Sequence, residues 1–185
     1  MNINDELLAQ AEVRYSEYLY AASPNTTYLG SIWYQEGQAI CRELALEHGL
    51  TLEQAATVLA ALSPMTPWDR NVFLATEFIN GRKVATLGNN IRMAEKGIVG
   101  GIATLKGKKT NAFARNLSGD LDAVTIDTWM IKAAGIVREP GKKKGINDTE
   151  YNTLALALTK VADANNMPPA VVQAIIWIQI RGKAD

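Results

Sequence analysis

"LKGKKTNAFARNLSGDLDAVTIDTWMIKAAGI", residues 105–136, is the stretch on which the fold turns. Lys108 to Leu117 reads as a short helix closed by "SGD", and Asp127 to Ala134 reads as the next one. Between them, "DAVTI" alone has strand character, and one five-residue run cannot build a sheet. The segment is therefore two helices joined by a short extended connection. It also sets a carboxylate, Asp127, at a helix start eighteen residues after Lys109.

Working outward, the helical pattern covers almost the whole chain. Asn4 or Asp5 can cap a first helix with Leu7, Leu8, Ala11 and Tyr15 at three-to-four spacing. "SPNTTYLG" breaks it, and a second helix is expected from about Ser31 to Glu47. Thr51 with Gln54 makes a capping-box start for Leu52 to Leu62, which is apolar nearly all round and so central. Pro64 stops it, Pro67 opens the next helix and Gly81 closes that one. A short helix near Asn90 to Glu95 leads into a glycine-rich bend, "GIVGGIATLKG". Beyond the opening stretch, "GIVREPGKKKG" is a basic loop, Asp148 caps a helix to about Ala164, and Pro168 opens the last, to Arg181. The expected fold is all-α with eight to ten helices, in one domain of residues 1–185 that can divide into two helical lobes with a cleft.

Composition narrows the partners. Lys plus Arg equals Asp plus Glu at 19 each, so no global field draws the chain to polyanions, and any such site is a local patch. Cys41 is the single cysteine, which excludes an intrachain disulfide, and its place in the second helix's apolar pattern makes it a small buried hydrophobe. The polar, acidic start is unlike a signal peptide. The most apolar run, Ala170 to Ile180, is too short to span a bilayer, so the expectation is a cytoplasmic protein without a membrane partner. His48 beside Gly49 fits a helix C-terminus rather than a metal site.

"GKKTNAFARNL" followed by "AVTIDTWMIKAAG" resembles the core of the helix-hairpin-helix DNA glycosylases, the endonuclease III and adenine-glycosylase kin. That family pairs a hairpin of the type L-P-G-[VI]-G-x-K with a V-D-T-H segment carrying an essential aspartate. The matching pieces are Gly107, Lys109, Thr110, Asn116, Asp127 and Thr128, and the hairpin motif falls at about 98–118. Upstream, "LAALSPMTPWDRN" is similar to the family's L-L-S-x-Q-T corner, with Ser63 and Met65 where a serine and a base-probing glutamine stand. The resemblance covers roughly residues 52 to 135. The sequence departs from the pattern at Thr104 and Leu105, which replace the hairpin's proline and first glycine, and at Trp129, which replaces the histidine. The relatives' four-cysteine cluster is missing, so the resemblance implies no iron–sulfur cofactor and no metal. Together "LSP", "VTIDT" and "QAIIW" also look like a small bacteriophage branch of the superfamily, which points to host cytoplasm and to enzymes that build hypermodified thymines.

The resemblance implies DNA as partner and gives residues their roles. Asp127 is the candidate catalytic carboxylate, stabilising positive charge at the sugar carbon, and helix capping explains the same residue without chemistry. Lys109 is either a Schiff-base nucleophile, a phosphate contact or a solvated lysine. The turn at Lys106, Gly107, Lys108 and Thr110, with Arg115, is a candidate phosphate grip, and Lys142, Lys143 and Lys144, after Arg138, a second one. Ser63, Met65, Trp68, Asn71 and Trp129 are candidates for a pocket holding an extruded base, with core packing the alternative for both tryptophans. Trp33 and Trp177 read as core residues without a chemical role. Three functions follow in order: base excision, modification of a flipped thymine by amine coupling, and DNA binding without catalysis.

Overall fold

In the computed structural model, residues 2–137 and 145–184 are described, and among them the chain is all α-helical, with nine α-helices, one 3-10 turn and no strand. The helices are α1 (Asp5–Tyr20), α2 (Pro24–His48), α3 (Leu52–Leu62), α4 (Trp68–Ile79), α5 (Gly88–Gly100), α6 (Lys108–Leu117), α7 (Thr128–Ala133), α8 (Asp148–Ala164) and α9 (Pro169–Arg181). The 3-10 turn, Gly101–Thr104, joins α5 to the loop before α6. Two compact units divide the chain, Met1–Tyr34 with Val124–Ala184 and Gln35–Ala123, so α2 gives its first turns to one and the rest to the other.

In the first unit α1 packs on α7, α8 and α9, and α7 and α8 also pack on α9. Its core gathers Tyr15, Ile126, Met130, Leu154, Leu158, Val172 and Ile176. The start of α2 crosses α9 so closely that a Cβ on Gly30 would lie 2.4 Å from Ile175 Cγ1 and 2.7 Å from its backbone N and Cα. In the second unit α3 is the axis. Every residue from Ala55 to Leu62 is buried, and α4, α5, α6 and the 3-10 turn all pack on it. Its start is the expected capping box, with Gln54 N donating to Thr51 Oγ1 at 3.2 Å and Thr51 N to Gln54 Oε1 at 2.8 Å. Gln54 Nε2 then donates to Ile98 O at 2.7 Å, which ties α3 to α5.

Several boundaries differ from those read in the sequence. The second helix begins at Pro24, because Ser23 Oγ takes the Thr26 amide at 3.1 Å and starts the helix where a break is expected. The helix expected over Asn90 to Glu95 runs from Gly88 to Gly100, with Gly97 packed on Thr57 of α3. Asn147, not Asp148, caps α8, in a capping box with Glu150. At α1 the cap is Asn4, whose side chain takes the Leu7 amide at 3.0 Å.

Candidate functional site

The chain leading to Asp127 is fixed before the aspartate is reached. Asn116, fully buried on α6, donates through Nδ2 to Asp120 O at 2.9 Å and Ala123 O at 2.7 Å, and its own carbonyl accepts from Gln38 Nε2 at 2.9 Å. Asp120 Oδ1 closes the turn by taking the Asp122 and Ala123 amides at 3.1 and 3.3 Å. In the first unit Tyr151 OH donates to Val124 O at 2.9 Å and receives the Ile126 N–H at 3.4 Å. These bonds satisfy an extended segment that has no neighbouring strand.

Asp127 is then the N-cap of α7, in extended conformation at φ −102° and ψ −174°. Its Oδ1 accepts from Trp129 N and Met130 N, both at 2.9 Å, and its Oδ2 accepts from Trp177 Nε1 at 3.0 Å. An ionised carboxylate offers about four acceptor directions, so these three bonds leave one, on Oδ2. Capping and exposure therefore coexist, because the side chain is only partly buried. Trp177 packs against the core as its apolar pattern predicts, but the ring is only partly buried and its N–H is committed to the carboxylate, a contact that pattern does not show. The Arg181 guanidinium lies 4.0 Å from that ring's centre, and Trp33 meets it edge-on at 5.8 Å.

Three phenols surround this carboxylate electrostatically. Burial pushes Tyr15 and Tyr34 far above the ordinary phenol range and Tyr151 up to about 12, and the negative charge of Asp127 adds to the rise in each. Tyr15 OH donates to Met130 O at 3.1 Å and Tyr34 OH to Gln173 Oε1 at 2.8 Å, so both are held protonated as donors. Ile126 and Met130 are buried on either side of Asp127, whereas Trp129 is 36% exposed with the Lys132 ammonium 5.4 Å from its ring.

The other candidates belong to the second unit. Gly107 is the N-cap of α6, and no side chain caps that end. Lys106 is exposed and donates to Ala103 O at 3.3 Å, Lys108 and Lys109 are partly buried in the first turn, and Thr110 Oγ1 donates back to Gly107 O at 3.1 Å. Asn111, which no sequence motif marks, braces the same turn by donating to Ile102 O and Leu105 O at 3.3 and 3.2 Å. Arg115 stands in the last turn of α6, away from that cluster, with its Nε 2.8 Å from Asp120 Oδ2. Arg138, Lys142, Lys143 and Lys144 lie outside the described residues.

At the α3–α4 corner Ser63 Oγ donates to Ala60 O at 2.9 Å and Asn90 Nδ2 to Pro64 O at 3.1 Å. Met65, between them, is 92% exposed and has φ 64°, a left-handed backbone rare outside glycine. Trp68 packs edge-on to Phe113 at 6.4 Å. Asn71 departs from its expected place in a base pocket. It is fully buried and donates to Leu59 O at 3.1 Å, a tie between α4 and α3 rather than a solvent-facing amide. Cys41 is buried as expected, and burial pushes its thiol up to about 12.

Fold and site together define an all-α protein with a helix-capping carboxylate held by an indole. The chain belongs to DUF7178, a family of unknown function, which matches residues 5–184. No curated protein and no solved structure matches it. Among the described residues no helix is long and apolar enough to cross a membrane.

Proposed function

We propose that this protein is a DNA-acting enzyme of the helix-hairpin-helix glycosylase type, which cleaves the N-glycosidic bond of a modified or damaged base with Asp127 as its carboxylate. The observation that carries the reading is the state of that side chain: oriented by three donors, partly exposed, and left with one acceptor direction. In the reaction the bond between sugar and base breaks with its electrons passing to the base, and positive charge develops on the sugar carbon. A carboxylate about 4 Å away stabilises that charge by about 4 kcal/mol at an effective dielectric constant of about 20. A water molecule completes the substitution by adding its oxygen to the sugar carbon, while its proton goes to the departing base or to solvent.

Within the second unit taken by itself, the corner at Met65 presents an exposed apolar side chain on a left-handed turn, which suits contact with an unstacked DNA step. The uncapped start of α6 with Lys106 and Lys108 suits a backbone phosphate. The test is excision from oligonucleotides carrying damaged or modified bases. Wild-type protein is expected to leave abasic sites, and Asp127→Asn to slow their formation about 1,000-fold while binding the same DNA. Wild-type protein that binds DNA and leaves every base in place overturns the reading in favour of a binding module.

A further inference from the structure

Trp177 is the one side chain that touches the second oxygen of Asp127 among the described hydrogen bonds. It comes from α9, fifty residues further along the chain, whereas the donors to Oδ1 are local amides that any capping aspartate finds. Local capping alone leaves a carboxylate free to swing its outer oxygen through solvent. The indole N–H removes that freedom, since a donor at 3.0 Å fixes both the torsion and the lone pair that stays open. The ring itself cannot drift. Arg181 stacks on it at 4.0 Å, Trp33 closes an edge, and Trp33 Nε1 is in turn anchored on Ala184 O at 3.0 Å. The guanidinium also draws charge from the indole face, which makes the N–H a stronger donor.

We propose that Trp177 is the positioning residue of the site, holding Oδ2 of Asp127 so that the carboxylate presents a single acceptor direction to the reacting nucleotide. This rests on the excision reading of Asp127. The consequence is selective: Trp177 acts on the chemical step and not on DNA affinity, because the aim of the carboxylate matters only when charge develops beside it.

The test compares wild type with Trp177→Phe, which keeps a ring under Arg181 but lacks the donor. A second variant carries benzothienylalanine at position 177, replacing N–H by sulfur at the same shape. Single-turnover excision is expected to fall about 10- to 100-fold in both, the loss of one hydrogen bond to a charged group, with the dissociation constant for DNA within about twofold of wild type. In parallel, the Trp177 indole proton is expected downfield in the NMR spectrum and shifted upfield by Asp127→Ala. Full excision by the benzothienyl variant overturns the positioning role and leaves the excision reading standing. Equal losses of rate and DNA affinity also overturn it, since a structural residue moves both. An indole resonance that ignores Asp127→Ala removes the contact itself. If wild-type protein excises nothing, the excision reading fails first and the positioning role falls with it, a pattern distinct from failure in the variants alone.

Discussion

Met65 is the residue at which the backbone and the proposed function make opposite demands. A methionine at φ 64° costs about 1–2 kcal/mol relative to ordinary backbone, and a side chain that is 92% exposed recovers none of it by packing. Glycine accepts that conformation without the penalty. Met65→Gly is therefore expected to raise stability by about 1 kcal/mol in urea unfolding, while weakening distortion of DNA by the proposed enzyme. A variant that is both less stable and fully active contradicts the assignment of strain to this corner. Asn116 is the converse, a fully buried residue whose side-chain amide N–H groups are both committed. Replacing it by alanine strands the carbonyls of Asp120 and Ala123, while the backbone carbonyl that takes the Gln38 amide stays, so Asn116→Ala is expected to cost about 3 kcal/mol in the same measurement. A loss below about 1 kcal/mol means that water replaces those bonds. In the sequence Asn116 stands out only as a motif match, because nothing in the spacing says which carbonyls a buried amide will meet.

At the scale of elements, two glycines mark close crossings of different kinds. Within the first unit, a Cβ on Gly30 meets the backbone of Ile175, which no substitution at 175 removes. Within the second, a Cβ on Gly97 of α5 meets Thr57 Cγ2 at 2.4 Å, an atom of a single side chain. Both Gly30→Ala and Gly97→Ala are expected to lose about 1–3 kcal/mol by overpacking. Thr57→Ser deletes the offending methyl and keeps the hydroxyl that bonds Glu53 O at 2.6 Å, so the double variant Gly97→Ala with Thr57→Ser is expected to recover most of its loss. Gly30→Ala paired with Ile175→Ala is expected not to recover. Thermal denaturation of the four variants decides this, and equal recovery in both pairs refutes the distinction. The sequence carried the helices themselves, since α3's apolar run, its Thr51 and Gln54 box and the α6–α7 pair all rest on local chemistry. It did not carry the start of α2 at Pro24, because Ser, Pro and Asn serve helix caps and turns alike, or the length of α5, where packing of Gly97 on α3 overrides the cost of glycine. For the site, the cap at Asp127 was legible because its partners are two and three residues away. The indole of Trp177 was not, because a period of apolar residues on α9 reads as core whichever way one N–H points.

Over the whole molecule, four weak acids share one fate. Tyr15, Tyr34, Tyr151 and Cys41 all ionise far less readily in the folded chain than in the unfolded one, where thiol and phenol have ordinary values of 9.0 and 10.0. Burial is the largest cause in each, and the charge of Asp127 adds to it for the three phenols. As the folded values are the raised ones, the folded state holds protons that the unfolded state has released. The resulting stability is full below about pH 9 and is lost as pH rises toward the folded values, about 12 for Cys41 and Tyr151. Each group contributes a slope of about 1.4 kcal/mol per pH unit inside its window, so the three phenols together remove about 4 kcal/mol per unit above pH 10. A domain with a net stability of about 5–15 kcal/mol then unfolds within a few units of that point. Urea unfolding followed from pH 7 to 11.5 is expected to show stability falling from about pH 9 and steepening near 10. Cys41→Ala is expected to move the onset upward toward 10, leaving the phenolic part intact. Stability that stays level to pH 11 places these tyrosines in contact with water and removes the electrostatic surroundings assigned to Asp127.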